Sequence, residues 1–138
     1  MRLCDFAGES SSPMTENEIS RIIVDSAFKI HNELGPGLFE SVYEKTMAYE
    51  LVRRGFRIVC QKAIPVVYEE VKLDLGFRAD ILINNKVIVE VKSIEAIAPV
   101  HSKQLRTYLR LTDLRLGLLI NFNVNLIKDG IKRVVNNL

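Results

Sequence analysis

The sequence predicts an α/β fold, a mixed β-sheet flanked by helices on both faces. Three observations carry this. Two stretches with apolar residues at helical spacing fill the first part of the chain. Short β-branched runs bounded by turn residues then dominate 57–92. A third helical stretch separates the run at 86–92 from another apolar run at 115–121, a strand–helix–strand crossover that sets two strands parallel beside antiparallel ones.

Thr15-Glu16-Asn17-Glu18 is a capping box, with Thr15 as N-cap and Glu18 three residues on. Ile19, Ile22, Ile23, Ser26, Ala27, Ile30 and Leu34 trace the apolar stripe of the first helix, which stops at Gly35-Pro36-Gly37 because neither residue type continues it. A second helix covers 39–54, closed by Gly55, with Tyr43, Met47 and Leu51 on its core face. The run 57–68 reads as a strand in which Pro65 marks an edge or a bulge. Glu69-Glu70 is a turn, and 71–75 returns into the strand 77–83. Lys-Val-Ile-Val-Glu-Val-Lys at 86–92 is the most apolar strand candidate, of the kind found in buried sheets. Pro99 suits a first helical position, so 99–111 is the third helix, with Leu105 and Leu109 as core contacts. The run 115–121 is a strand, and 126–127 with 131–135 read as a closing hairpin around Lys128-Asp129-Gly130.

With 138 residues, 48% of them hydrophobic, the chain can bury one core. It is read as an N-terminal extension over 1–14, mobile because it is rich in Ser and Gly, and a single domain over 15–138. Met14 is a candidate natural start, and 1–13 contains no signal-peptide apolar region. A net charge of +2 neither demands nor excludes a polyanionic partner. Cys4 and Cys60 are too few for a four-cysteine metal site and read as free thiols, which puts the chain in the cytoplasm by default. No apolar run approaches the roughly 20 residues that span a bilayer, so no membrane association is expected.

Two charges, Glu90 and Lys92, interrupt the apolar run 86–92. Side chains alternate along a strand, so both leave one face with Ile88, and Val87, Val89 and Val91 fill the other. Burying a charge costs several kcal/mol unless it is paired or on a metal. Asp80 lies ten residues earlier. A two-residue loop at Asn84-Asn85 would put Asp80 and Glu90 on opposite faces. A three-residue loop, Asn84-Asn85-Lys86, pairs Ile83 with Val87 and Asp80 with Glu90, and Asn tolerates the left-handed backbone such a loop needs. We expect the three-residue loop or an equivalent bulge. Two adjacent carboxylates favour a cation between them, and hard oxygen ligands suit Mg²⁺ or Mn²⁺. Such an ion polarises phosphate oxygens and activates water, and Lys92 would orient the water or stabilise charge developing on the phosphate. The competing reading of these residues is an ordinary strand with an edge-exposed Glu–Lys pair.

Asp80, then Glu90-x-Lys92 across a hairpin, resembles the active site of the PD-(D/E)xK nuclease superfamily. Gly37-Leu38-Phe39-Glu40-Ser41-Val42-Tyr43 resembles the pattern that names the GxxExxY family of that superfamily. Leu34-Gly35-Pro36-Gly37, Glu90-Val91-Lys92-Ser93, Gln104 with Tyr108, and 116–122 agree with it, so the likeness runs from about residue 19 to 135. It implies a restriction-endonuclease-like fold and a metal-dependent nuclease acting on DNA foremost, or RNA, by in-line hydrolysis that leaves a 5′-phosphate. Asp80 and Glu90 would be the principal ligands of Mg²⁺ or Mn²⁺, with Glu40 and the Val91 carbonyl completing the site, and Lys92 would be the catalytic lysine. Gln104 and Tyr108, on one helical face, resemble the QxxxY element of RecB-like nucleases, which supports the site and contacts nucleic acid.

Local alternatives stand beside these roles. Glu40 in a first helical turn is also explained by the helix dipole, and Gln104 with Tyr108 by an amide–phenol hydrogen bond at a helix–sheet junction. His31 reads mainly as a partly exposed residue at a helix C-terminus, and His101 opens the third helix near Gln104. The alternative to a nuclease is a catalytically silent nucleic-acid-binding or regulatory module that keeps the fold; a partner domain in a larger complex is a third reading. A homodimer is left open.

Overall fold

The computed structural model describes residues 13–138, apart from the side chains of Asp74 and Leu75. The expected N-terminal extension therefore lies, up to residue 12, outside the described residues, and Cys4 with it. Cys60 is disulfide-bonded, which corrects the expectation that it is a free thiol.

Helix α1, Glu16–Leu34, starts where the capping box requires. The Glu18 N–H donates to Thr15 Oγ1 and the Thr15 N–H donates to Glu18 Oε1, both at 3.2 Å, so two otherwise orphaned donors are satisfied. Helix α2 is Glu40–Arg53. Strands β1 (Ile58–Tyr68), β2 (Val71–Ile83) and β3 (Val87–Lys92) follow, then α3 (Pro99–Thr112), β4 (Leu116–Asn121) and β5 (Ile131–Val135). The five strands form one sheet in the order β1-β2-β3-β4-β5, antiparallel except for the parallel pair β3–β4. The crossover through α3 explains that exception, because parallel neighbours need a long connection.

The hairpin expected around Lys128-Asp129-Gly130 does not form. Residues Ile127–Gly130 make one 3₁₀ turn, and β5 pairs with β4 instead, Ile131 with Ile120 and Val135 with Leu116. Two packing facts explain it. Ile127 is buried in the main core, and Gly130 lies so close to the Asn121 carbonyl that a Cβ would collide with it. The turn is held against the end of β4, which leaves β4 as the available partner.

The sheet separates two cores. On one side α1 and α2 contribute Ile19, Ile23, Tyr43, Met47 and Leu51 to a cluster with Ile81, Ile83, Val87, Val89 and Val91. On the other, Leu105 and Leu109 of α3 pack with Ala79, Leu82, Ile88 and Leu119. Helices thus cover both faces, and β3 is buried from Val87 to Val91 and apolar except for Glu90 and Lys92. Each fully buried Ile or Leu contributes on the order of 2 kcal/mol.

Side chains two apart on a strand share a face, yet β1 and β2 change sides midway. Ile58 and Cys60 pack toward α1 and α2, whereas Ile64 packs toward α3. Ile81 and Ile83 lie on the first side, Phe77 and Ala79 on the second. The switch falls between the pairs Cys60–Ile81 and Lys62–Ala79. There Gln61 has φ 53°, a backbone conformation uncommon for a residue with a side chain. The hairpin thereby curls from one face of the sheet onto the other, with Asp80 at the crossing point.

Candidate active site

The β2–β3 connection is the three-residue loop. Ile83 pairs with Val87, Leu82 with Ile88 and Ile81 with Val89, while Asn84 and Asn85 take φ 50° and 55°. The next positions in this register are Asp80 and Glu90, and there backbone pairing gives way to side-chain bonds. The Asp80 N–H donates to Glu90 Oε1 at 3.2 Å, and the Val91 N–H donates to Asp80 Oδ2 at 2.9 Å. β3 meanwhile stays paired with β4, Glu90 beside Leu119 and Lys92 beside Asn121. The two carboxylates therefore sit where two strands part, which opens a polar cleft at the sheet surface.

That cleft, of about 250 Å³, is lined by Phe77, Arg78, Asp80, Glu90, Lys92, His101, Gln104, Leu105, Tyr108 and Leu119. It gathers Asp80, Glu90, Lys92, Gln104 and Tyr108 from β2, β3 and α3. Helix α3 is aligned by Leu105 and Leu109 beneath it and by Tyr108, whose ring stacks on Phe77. Among the described residues neither Gln104 nor Tyr108 takes a side-chain hydrogen bond, and no amide–phenol bond joins them. Both polar ends stay available in the cleft.

Glu90 is 7% exposed, and its carboxyl is pushed up to about 8, chiefly by burial and then by the charge of Asp80. Asp80 is raised as well, again by burial first; the Val91 N–H and the charge of Lys92 oppose the rise. Burial raises the Tyr108 phenol, with Glu90 and Asp80 adding to it. A buried carboxylate facing a half-buried one is relieved by a proton or by a cation. The donor set, two carboxylates, fits a hard divalent ion that keeps several waters.

Glu40 stands apart. It is exposed at the start of α2, with Oε2 3.4 Å from the Ser93 N–H, and is not among the cleft residues. Among the described residues no three His, Cys, Asp or Glu side chains converge as a metal-binding group. Val91 turns its side chain into the α1–α2 core, and its N–H is what holds Asp80. His31 is 8% exposed, its Nε2 lies 2.8 Å from the Val124 carbonyl, and it does not line the cleft. This corrects its reading as partly exposed: it ties α1 to the segment after β4. His101 does line the cleft, and its Nδ1 accepts the Ala98 N–H at 2.9 Å as a cap on α3. With Nδ1 an acceptor, the neutral ring carries its proton on Nε2.

Three residues near the site were not singled out from the sequence. Gln61 Nε2 donates to Glu44 Oε1 at 2.6 Å and to Asp80 Oδ1 at 3.3 Å, so Glu44 and Asp80 share one amide. Burial raises Glu44, with further contributions from the charges of Asp80 and Glu40. Arg78, in the cleft wall, donates from Nη1 to the Gln61 carbonyl at 3.0 Å. Spacing offered a signal for Glu44, four residues beyond Glu40 on the same helical face. Nothing local marked Gln61.

The surrounding frame is held by Tyr43 and Asn121. The buried Tyr43 ring stacks on Phe122 at 4.5 Å; its hydroxyl donates to the Gly35 carbonyl at 2.5 Å and accepts the Leu38 N–H at 3.1 Å. Ser93 Oγ donates to the Leu38 carbonyl at 2.5 Å, which ties this loop to the end of β3. Asn121 accepts the Ile94 N–H at 3.1 Å and donates to the Ile94 carbonyl at 2.9 Å, fixing the chain just past Lys92.

A mixed sheet with helices on both faces and an acidic cleft where two strands part define an α/β domain of the restriction-endonuclease-like kind. The chain belongs to the PD-(D/E)XK nuclease superfamily, whose description it matches over residues 17–134. Members of that superfamily are usually nucleases and generally use divalent metals. No curated protein and no solved structure matched the chain significantly.

Proposed function

We propose that the chain is a metal-dependent nuclease that hydrolyses phosphodiester bonds of DNA, or of RNA, and that it falls in the GxxExxY branch. The observation that carries this is the Asp80–Glu90 carboxylate pair at the parting of β2 and β3, Glu90 buried and Asp80 half-buried, with Lys92 two residues beyond Glu90 on β3. Asp80 and Glu90 would hold Mg²⁺ or Mn²⁺, with the Val91 carbonyl completing the set; Glu40, outside the cleft at the start of α2, would join them only by moving from its place beside Ser93. When bound, the ion supplies polarisation of a phosphate oxygen and a more acidic water.

The other roles belong to the chain's own side chains. The Lys92 ammonium makes no ion pair among the described residues, which suits it to orient the attacking water and to stabilise charge developing on the phosphate. Gln104 and Tyr108 present an unpaired amide and phenol to the nucleic acid across the cleft. No described helix is long and apolar enough to cross a membrane.

Calorimetric titration with Mn²⁺ is the first test: the chain binds, and Asp80→Ala and Glu90→Ala abolish the heat. Cleavage assays on single-stranded, duplex and branched DNA and on RNA then detect an activity that Lys92→Ala removes. Cleavage persisting in Lys92→Ala, or an absence of Mn²⁺ binding, overturns the reading.

A further inference from the structure

Among the described residues of β1 and β2, the positive-φ position inside the paired region is Gln61, at φ 53°. Strained non-glycine backbone persists only where surrounding interactions over-determine it, at a cost of order 1–3 kcal/mol. Here three interactions do so. The side-chain amide reaches Glu44 on α2 at 2.6 Å and Asp80 on β2 at 3.3 Å, and the carbonyl takes the Arg78 guanidinium at 3.0 Å. With the alternation of β1 left intact, the sequence parity that puts Ile58 and Cys60 toward α1 and α2 would also put Ile64 there. The kink is what turns the strand, and it aims the Gln61 side chain at the Asp80 carboxylate.

Asp80 Oδ2 is held by the Val91 N–H at 2.9 Å. Gln61 supplies the second anchor, on Oδ1, so the carboxylate is fixed at both oxygens. The same nitrogen keeps Glu44 from approaching Asp80 as a bare like charge. We propose that Gln61 is a positioning residue of the metal site: its amide fixes Asp80 for a divalent cation and holds Glu44 alongside, while its carbonyl steadies Arg78 in the cleft wall. This rests on the metal-site reading above, and it adds a residue from an edge strand that carries none of the ligands.

Gln61→Asn separates positioning from folding. Asn is more at ease than Gln in left-handed backbone, so the variant should melt at or above the temperature of the unaltered chain. Its shorter amide cannot span Glu44 and Asp80 together, and calorimetric Mn²⁺ affinity should fall about tenfold or more, as for other partners that orient ligands. Gln61→Gly, with φ relaxed and no side chain, should show the same loss. Full Mn²⁺ affinity in both folded variants overturns the proposal and leaves the metal site standing. Unfolding of both assigns the kink a purely structural role and overturns it too. No Mn²⁺ binding by the unaltered chain removes the metal site itself, and Gln61's role with it.

Discussion

Asp80 offers its backbone N–H to the side chain of Glu90, 3.2 Å from Oε1, at the first position where β2 and β3 no longer pair through their backbones. The donor that would have extended the ladder is spent on a carboxylate. Both acids are thereby held near each other in a largely buried place, which raises the proton affinity of each.

This makes the metal-free fold sensitive to alkali. Glu90 binds its proton more tightly folded than unfolded, so its contribution is fully present below about pH 4.5 and is lost as pH rises toward 8. Asp80 acts in the same direction. Melting in EDTA should therefore show stability falling, by on the order of a few kcal/mol, between about pH 5 and 8. Glu90→Gln should flatten that slope, and saturating Mn²⁺ should oppose it. A metal-free chain that gains stability over this range would refute the coupling.

Lys92 separates binding from chemistry. Its ammonium has no ion-pair partner among the described residues, and its charge favours ionised Asp80 and Glu90, so Lys92→Ala should leave the fold intact at a cost of about 1 kcal/mol. Mn²⁺ binding should persist, while cleavage falls by about a hundredfold or more. Loss of Mn²⁺ binding in this variant would assign Lys92 to holding the site rather than to the reaction.

Tyr43→Phe removes one hydroxyl that satisfies two backbone groups, the Gly35 carbonyl and the Leu38 N–H. The ring still stacks on Phe122, so the fold should survive with a loss of about 1–3 kcal/mol. Amide exchange should quicken at Leu38 and be little changed in β3. Unaltered exchange at Leu38 would mean that the loop is held by Ser93 alone.

Gly117 and Gly130 should rank differently on substitution. A Cβ on Gly117 meets Cγ and both Cδ atoms of the buried Leu105 side chain at 2.9 Å, whereas one on Gly130 collides with the Asn121 backbone carbonyl, which is less able to shift. Gly117→Ala should cost about 1 kcal/mol and Gly130→Ala about 3 kcal/mol, as read by chemical denaturation. The reverse order would show that the turn before β5 yields more easily than the α3–β4 contact.

Much of this protein is local, and so was open to reading along the chain. The Thr15–Glu18 cap, the two-sided apolarity of β3, and the i, i+4 placement of Gln104 and Tyr108 follow from periods of 3.6 and 2 counted over a few residues. The three-residue Asn84-Asn85-Lys86 loop follows as well, because that loop, or an equivalent bulge, is what brings Asp80 into register with Glu90. Tertiary structure decided the rest. The face switch at Gln61 has no local signature, since Gln does not favour left-handed backbone and holds it only through Glu44, Asp80 and Arg78. The separation of Glu40 from the cleft depends on how α2 seats on the sheet, and the pairing of β5 with β4 depends on Gly130 fitting beneath Asn121. Sequence spacing determines which residues share a face or a turn; long-range packing determines which of those faces meet.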